Sequence, residues 1–310
     1  MREAVLKAVA KLDYQVNQQA RQLATGATRL LALVFAADAE VEPNSYYHSA
    51  IELGAMRSAT ELGFGLLTHN VDPSVENHQS KIMALASQSR CDALILTPPF
   101  SDDSELIEEL RTSGVVFVLI SAGPTTRGLA PSVGIDDKMA GYDLGEYLYD
   151  QGHRLFGYVG GPREHRSAAL RLEGLCEALN SSNRADASVS VLEGNFTFRS
   201  GTDLATEFIQ ANGRPSVIVC ANDDMAAGAL FAAHRLGLNV PADIAITGFD
   251  DTPVSQIVWP PLTTIHQPLR QMGAEAVELA VAACVGSDKL SARHAPQQVV
   301  SHQLIPRQSA

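Results

Sequence analysis

The sequence predicts an α/β protein of two lobes, each a doubly wound parallel sheet, with a ligand cleft between them. Three observations carry that expectation. Short apolar runs alternate regularly with helix-period segments, the runs are apolar on both faces, and there are more of them than one small sheet holds. The strand-like runs, rich in β-branched residues, fall at 30–35, 64–68, 93–97, 115–120, 155–159, 216–220 and 244–247. After the first of them, Ile51, Ala55, Ala59 and Leu62 share one helical face, and Gly63 supplies a C-terminal cap. Ser101, ahead of Asp102 and Asp103, reads as the N-cap of the helix that follows the third run. The Gly152-His153 turn, near the middle of the series, marks the expected lobe boundary.

Composition agrees with two buried cores. The chain has 310 residues, 45% hydrophobic and 19% charged, far from the disordered regime. No apolar run approaches the roughly 20 residues that span a bilayer, and Met1-Arg2-Glu3-Ala4-Val5 has no secretory pattern. Cys91, Cys176, Cys220 and Cys284 are widely spaced, so they read as small core hydrophobes of a reducing cytoplasm; neither a metal site nor a cofactor is implied. The net charge is −12, unevenly placed: residues 1–29 hold five cations against two anions, a basic arm of +3 on a body of −15.

In doubly wound sheets a ligand sits beyond the carboxyl ends of the strands. Those ends are polar here: Thr97-Pro98-Pro99-Phe100, Ser121-Ala122-Gly123, Gly160-Gly161-Pro162-Arg163, Ala221-Asn222-Asp223-Asp224 and Gly248-Phe249-Asp250-Asp251. Asn, Asp and Arg can make paired hydrogen bonds to vicinal hydroxyls, and Tyr46, Tyr47 and Phe196 can cover the C–H face of a sugar ring. Each Asp or Asn taken alone could equally cap the next helix. Together they favour a cleft for a polyhydroxylated ligand. Enzyme signatures are missing: Gly160-Gly161 lacks the third glycine of a dinucleotide fingerprint, and there is no phosphate-loop Lys-Ser/Thr, GxSxG elbow or HExxH. His165, on a cleft-facing loop, stands apart from histidines such as His153 that read as structural.

The ordered motifs resemble those of the lactose-repressor (LacI/GalR) family of transcriptional regulators. Asn17-Gln18-Gln19-Ala20-Arg21-Gln22-Leu23 with Thr28 is similar to the family's hinge segment. Asn44-Ser45-Tyr46-Tyr47, Gly152-His153-Arg154, Ser167 with Arg171-Leu172-Glu173-Gly174, Phe196-Thr197-Phe198-Arg199-Ser200-Gly201, Ala221-Asn222-Asp223, Gly248-Phe249-Asp250-Asp251 and Pro260-Pro261-Leu262-Thr263-Thr264-Ile265 follow in order over essentially the whole chain.

The resemblance implies a periplasmic-binding-protein-like type I core, usually dimeric, behind a helix-turn-helix headpiece. It divides the chain into a headpiece remnant at 1–15, a hinge at 16–29, a first lobe at 30–152 and 266–287, and a second lobe at 153–265 and 288–310. It further implies that Arg171, Asn222 and Asp250 bond ligand hydroxyls, that Tyr46, Tyr47 and Phe196 cover the ring, and that Asp136, His165 and Ser167 are lesser contacts. Tyr14, Asn17, Ala20, Arg21 and Leu23 are the implied DNA-contacting hinge positions, with Leu23 as a minor-groove wedge. One departure is large. The family's first two headpiece helices would precede residue 1, and residues 2–12 resemble its third helix alone, with Val5, Ala8, Val9 and Leu12 as an apolar stripe. The expectation is a truncated headpiece and weak, salt-sensitive DNA binding without sequence preference.

Val254, Ile257, Val258 and Trp259, beside Pro260-Pro261, put more apolar area on one loop than a surface loop normally exposes, which predicts a two-fold homodimer interface. No heptads follow Gln303-Leu304-Ile305, so no coiled coil is expected to raise the order beyond a dimer. The partners are then a sugar or sugar-like effector, a second copy and operator DNA, with no membrane. Arg171→Ala is expected to leave the fold intact while weakening ligand binding by about 1.5–3 kcal/mol. A transporter's solute-binding protein shares this fold, but the basic hinge segment and the missing signal sequence favour the regulator.

Overall fold

The computed structural model describes residues 28–37, 45–87, 90–180, 186–285 and 295–310. The hinge candidates Tyr14, Asn17, Ala20, Arg21 and Leu23, and the headpiece remnant, lie outside the described residues.

The first lobe is a six-stranded sheet ordered β11-β5-β4-β3-β1-β2, every pairing parallel. Its strands are β1 (Leu30–Ala36), β2 (Gly65–Val71), β3 (Ala93–Leu96), β4 (Phe117–Ile120), β5 (Ser132–Gly134) and β11 (Gln297–Val299). β3 and β4 are buried at every residue and β1 at its five central ones, as strands covered on both faces must be. The covering helices are α1 (Ser45–Glu61), α2 (His78–Ser87) and α3 (Ser104–Thr112). Asp103, not Ser101, caps α3: its carboxylate accepts from the amides of Glu105 at 3.1 Å and Leu106 at 3.0 Å. Ser101 sits one turn earlier, buried in the 3₁₀ turn Phe100–Asp102. Gly63, at φ +74°, ends α1 as its position predicts.

The second lobe is a four-stranded parallel sheet ordered β7-β6-β8-β9, from β6 (Leu155–Gly160), β7 (Ser188–Glu193), β8 (Val217–Cys220) and β9 (Ala245–Thr247). Its helices are α5 (Arg166–Leu179), α6 (Phe198–Gln210), α7 (Asp223–Arg235) and the short α8 (Pro253–Ile257). The antiparallel pair β10 (Thr264–His266) and β12 (Gln303–Ile305) lies against β9, through bridges from Thr247 to Thr263 and from Asp250 to His266.

Two helices cross between lobes; the first revises the expected boundaries and the second lies where they placed it, within 266–287 of the first lobe. α4 (Asp137–Asp150) leaves β5 of the first sheet but docks on α5 of the second lobe. Gly141 and Gly174 make this possible: a Cβ on either would lie 2.0 or 1.9 Å from a carbonyl oxygen of the facing helix. α9 (Leu269–Val285) follows β10 and docks on α1 in the first lobe, through the same kind of glycine pair, Gly54 and Gly273. The first crossing therefore falls ahead of Asp137, not at Gly152-His153. The expected assignment of 288–310 to the second lobe also divides: β11 joins β5 in the first sheet, whereas residues from β12 onward belong with the second. Among the described residues no helix is long and apolar enough to cross a membrane.

Candidate functional site

Both sheets run outward from a reversal of strand order, between β1 and β3 in the first lobe and between β6 and β8 in the second. At such a switch point the flanking loops diverge and leave a crevice beyond the strand ends. Here the two crevices face one another across a single cavity of about 530 Å³. Ala36 and Ala37 at the end of β1, Pro98 and Pro99 after β3, Pro162, Glu164 and His165 after β6, and Asn222 after β8 all reach it.

The first-lobe wall is aromatic. Tyr47 and His48, in the first turn of α1, line it together with Pro73 and Ser74. The His48 ring stacks on Phe35 with centroids 4.2 Å apart, and burial lowers its pKa to about 4. Burial pushes the Tyr47 hydroxyl above the usual phenol range, with the Asp250 charge as the next cause.

The second-lobe wall is polar. Arg171 projects from α5, almost fully buried, and its Nε donates to Asp137 Oδ1 at 2.9 Å. Its Nη1 donates to the Ala221 carbonyl at 2.9 Å, and the guanidinium lies 3.6 Å from the Phe249 ring centre. Asn222 is both cap and lining residue: its Oδ1 accepts from the Met225 amide at 3.0 Å, and its Nδ2 donates to the Phe196 carbonyl at 2.9 Å. The capping and binding alternatives are thus compatible, since an amide keeps a further N–H and lone pair for the cavity. Phe196 lies over Gly161, where a Cβ would come within 2.2 Å of the ring, and meets His165 edge-on at 4.9 Å. Burial, and then the Arg171 charge, lower the His165 pKa to about 3. The Nδ1 of His165 is buried and has no hydrogen-bond partner among the described residues.

Asp250 completes the wall from the loop after β9. It adopts φ +101° and Asp251 adopts φ +55°, a backbone bend that sends the two carboxylates apart. Asp250 accepts from Gln267 Nε2 at 2.9 Å, whereas Asp251 pairs with Arg307 and the His266 ring. Phe196 and Ser121, also at strand-end loops, share positive φ (65° and 54°). Strain of this kind, on the order of 1–3 kcal/mol per residue, gathers where side-chain direction matters more than local ease. Burial raises the Asp250 pKa to about 7, with Arg171 pulling it back and Asp224 adding to the rise.

Tyr47, His165, Arg171, Phe196, Asn222 and Asp250 therefore meet in the cavity, and three expected contacts do not. Tyr46 is half-buried against the core. Asp136 is exposed and caps α4 by accepting from the Met139 amide at 3.0 Å. Ser167 is buried behind the wall, its Oγ donating to the Ser121 carbonyl at 3.5 Å. Sequence reasoning missed His48, in the same first turn as Tyr47, and Asp137, the buried neighbour of Asp136 that holds Arg171. Of the expected interface residues, Ile257 and Trp259 are 80% and 78% exposed, while Val258 packs against its own core and Val254 is half-buried.

A family model described as a periplasmic binding protein-like domain matches residues 146–310. The HTH-type transcriptional repressor PurR of Klebsiella pneumoniae is 30% identical over 280 residues, 90% of this chain and 80% of that protein. Catabolite control protein A of Priestia megaterium is 28% identical, over 90% of this chain and 82% of its own. A Lac repressor dimer bound to operator and the anti-inducer ONPF superposes with a TM-score of 0.83 at 27% identity, covering 99% of this chain and 89% of that one. A complex of the transcriptional regulator CelR with cellobiose superposes with a TM-score of 0.80 at 26% identity, covering 100% and 90%. With its cavity at paired switch points and relatives of this kind along nearly its whole length, the chain belongs to the lactose-repressor (LacI/GalR) family of transcriptional regulators.

Proposed function

We propose that this protein is a repressor whose two-lobed core takes a sugar or sugar-like effector in the interlobe cavity and relays its presence, as a homodimer, to operator DNA. The observation that carries this reading is the shared cavity itself. An aromatic wall on one lobe faces hydroxyl-binding groups on the other, so a bound ligand touches both. A ligand that touches both lobes shifts their relative orientation by as much as its affinity differs between orientations, and no more.

The lobes also touch directly. Asp102 of the first lobe, held within that lobe by the Gly123 amide at 2.7 Å, accepts across the gap from the amide of Arg166, at the start of α5, at 3.3 Å. The bond to Arg166 would change with a rotation of the lobes, giving the equilibrium a second arrangement to select. The hinge positions suggested by resemblance, Leu23 foremost, would convert first-lobe orientation into the spacing of two hinges on DNA. Turnover of the ligand is not part of this reading, which follows the regulators among the relatives.

The test uses the protein joined to a helix-turn-helix headpiece and an operator selected from random DNA. Fluorescence anisotropy then measures operator affinity with and without a saccharide known to bind the core. The expected result is a shift of at least about fivefold, abolished by Asn222→Ala at the same saccharide concentration. An unchanged operator affinity with the cavity saturated would refute the relay.

A further inference from the structure

The cavity's charge restricts what can enter it. Among the described lining residues Arg171 is the single guanidinium or ammonium group, and its charge is already committed to Asp137, to a carbonyl and to the face of Phe249. The two lining histidines add no cation, since burial keeps both neutral at neutral pH. Among the described residues two carboxyl groups on the lining make no ion pair: Asp250, which accepts from the neutral amide of Gln267, and Glu164 at the exposed rim.

Building on the effector reading above, we propose that the ligand carries no negative charge: the cavity takes a neutral, hydroxyl-rich molecule and rejects its phosphorylated or carboxylated counterpart. A hydroxyl can donate to Asp250 and accept from an Arg171 or Asn222 N–H, which satisfies both sides. A phosphate or carboxylate only accepts. It would shed its hydration, find a donor at Asp250 only where that carboxyl takes up a proton, and meet a lining guanidinium already paired with Asp137. The Arg171–Asp137 pair thus acts as a rigid hydrogen-bond donor instead of an anion trap.

Calorimetry with matched probes tests this: neutral hexoses, pentoses and disaccharides, each beside its 6-phosphate or uronate counterpart where one exists. In any series that binds, the neutral member is expected to bind, with the anionic member weaker by on the order of 100-fold, the scale of a like-charge clash. Asp250→Asn should narrow that gap by removing the facing carboxylate. Asp137→Asn should narrow it further by releasing the Arg171 charge. An anionic member that binds the unmodified protein as tightly as its neutral partner overturns the inference and leaves the effector reading standing. A gap unchanged in both variants overturns the assignment to these residues. If no series binds at all, the effector reading fails, and this inference fails with it.

Discussion

Truncating Arg171 removes more than a ligand contact, because the same guanidinium neutralises a buried carboxylate 2.9 Å away. The sequence expectation that Arg171→Ala leaves the fold intact does not survive that geometry. Breaking a buried pair from one side costs on the order of 3–5 kcal/mol. Arg171→Ala is therefore predicted to lower Tm sharply as well as to lose the ligand, and Asp137→Asn in the same chain should recover part of the Tm. A denaturant titration that shows Arg171→Ala as stable as the unmodified protein would mean the pair contributes nothing.

Asp250 makes a prediction with a pH sign. Its folded pKa, about 7, lies above the unfolded value of 3.8. The carboxyl's stabilising contribution is then fully present below about pH 4 and lost as pH rises through 7. Asp250→Asn, which can still accept from Gln267, should be more stable than the unmodified protein at about pH 8, by on the order of a few kcal/mol. That advantage should vanish toward about pH 4. A pH-independent difference in Tm would contradict the burial of this carboxyl. At this scale the sequence was informative wherever polarity followed a strand-like run, which is how Asn222, Asp250 and His165 could be singled out. It was uninformative about neighbours on the same turn. Nothing in Asp136-Asp137 says which carboxylate caps the helix and which turns inward to Arg171.

Elements were legible in proportion to how apolar they are. The strands around β1, β3, β4, β6, β8 and β9 announce themselves because both faces are buried. β7 has no fully buried residue and no strict alternation at the sheet edge, and β5, β10, β11 and β12 are three residues each, too short to show a period. The lobe to which α4 belongs was hidden for a different reason. Chain order says which strand precedes a helix but not which sheet the helix covers. The glycines at 141 and 174 hold that information only once the facing helix is known. Gly174→Ala should force α4 and α5 apart, costing about 1–3 kcal/mol and several degrees of Tm. An unchanged melting curve would show that the crossing has slack that the 1.9 Å approach denies.

For the whole molecule, the same strand order in each lobe places two switch points face to face, and this makes the cavity a property of the topology. The assembly should be a dimer through the face carrying Ile257 and Trp259, which expose more apolar area than a solitary monomer would be expected to carry. Light scattering at micromolar concentration should give twice the chain mass, and Ile257→Asp with Trp259→Asp should halve it. Trp259 is the sole tryptophan of the chain, so in the unmodified protein its emission should shift to the red when dilution dissociates the dimer. A monomeric mass for the unmodified protein would refute the interface.

The central claim is that the interlobe cavity binds a hydroxyl-rich effector. It is tested most directly by a thermal-shift screen of mono- and disaccharides on the unmodified protein and on Asn222→Ala in parallel. A true effector at 100 times its Kd adds about 2.7 kcal/mol, so at least one saccharide should raise Tm by several degrees in the unmodified protein and by little in the variant. A saccharide that raises both equally would place its site elsewhere, and a screen in which no saccharide raises Tm would contradict the claim outright.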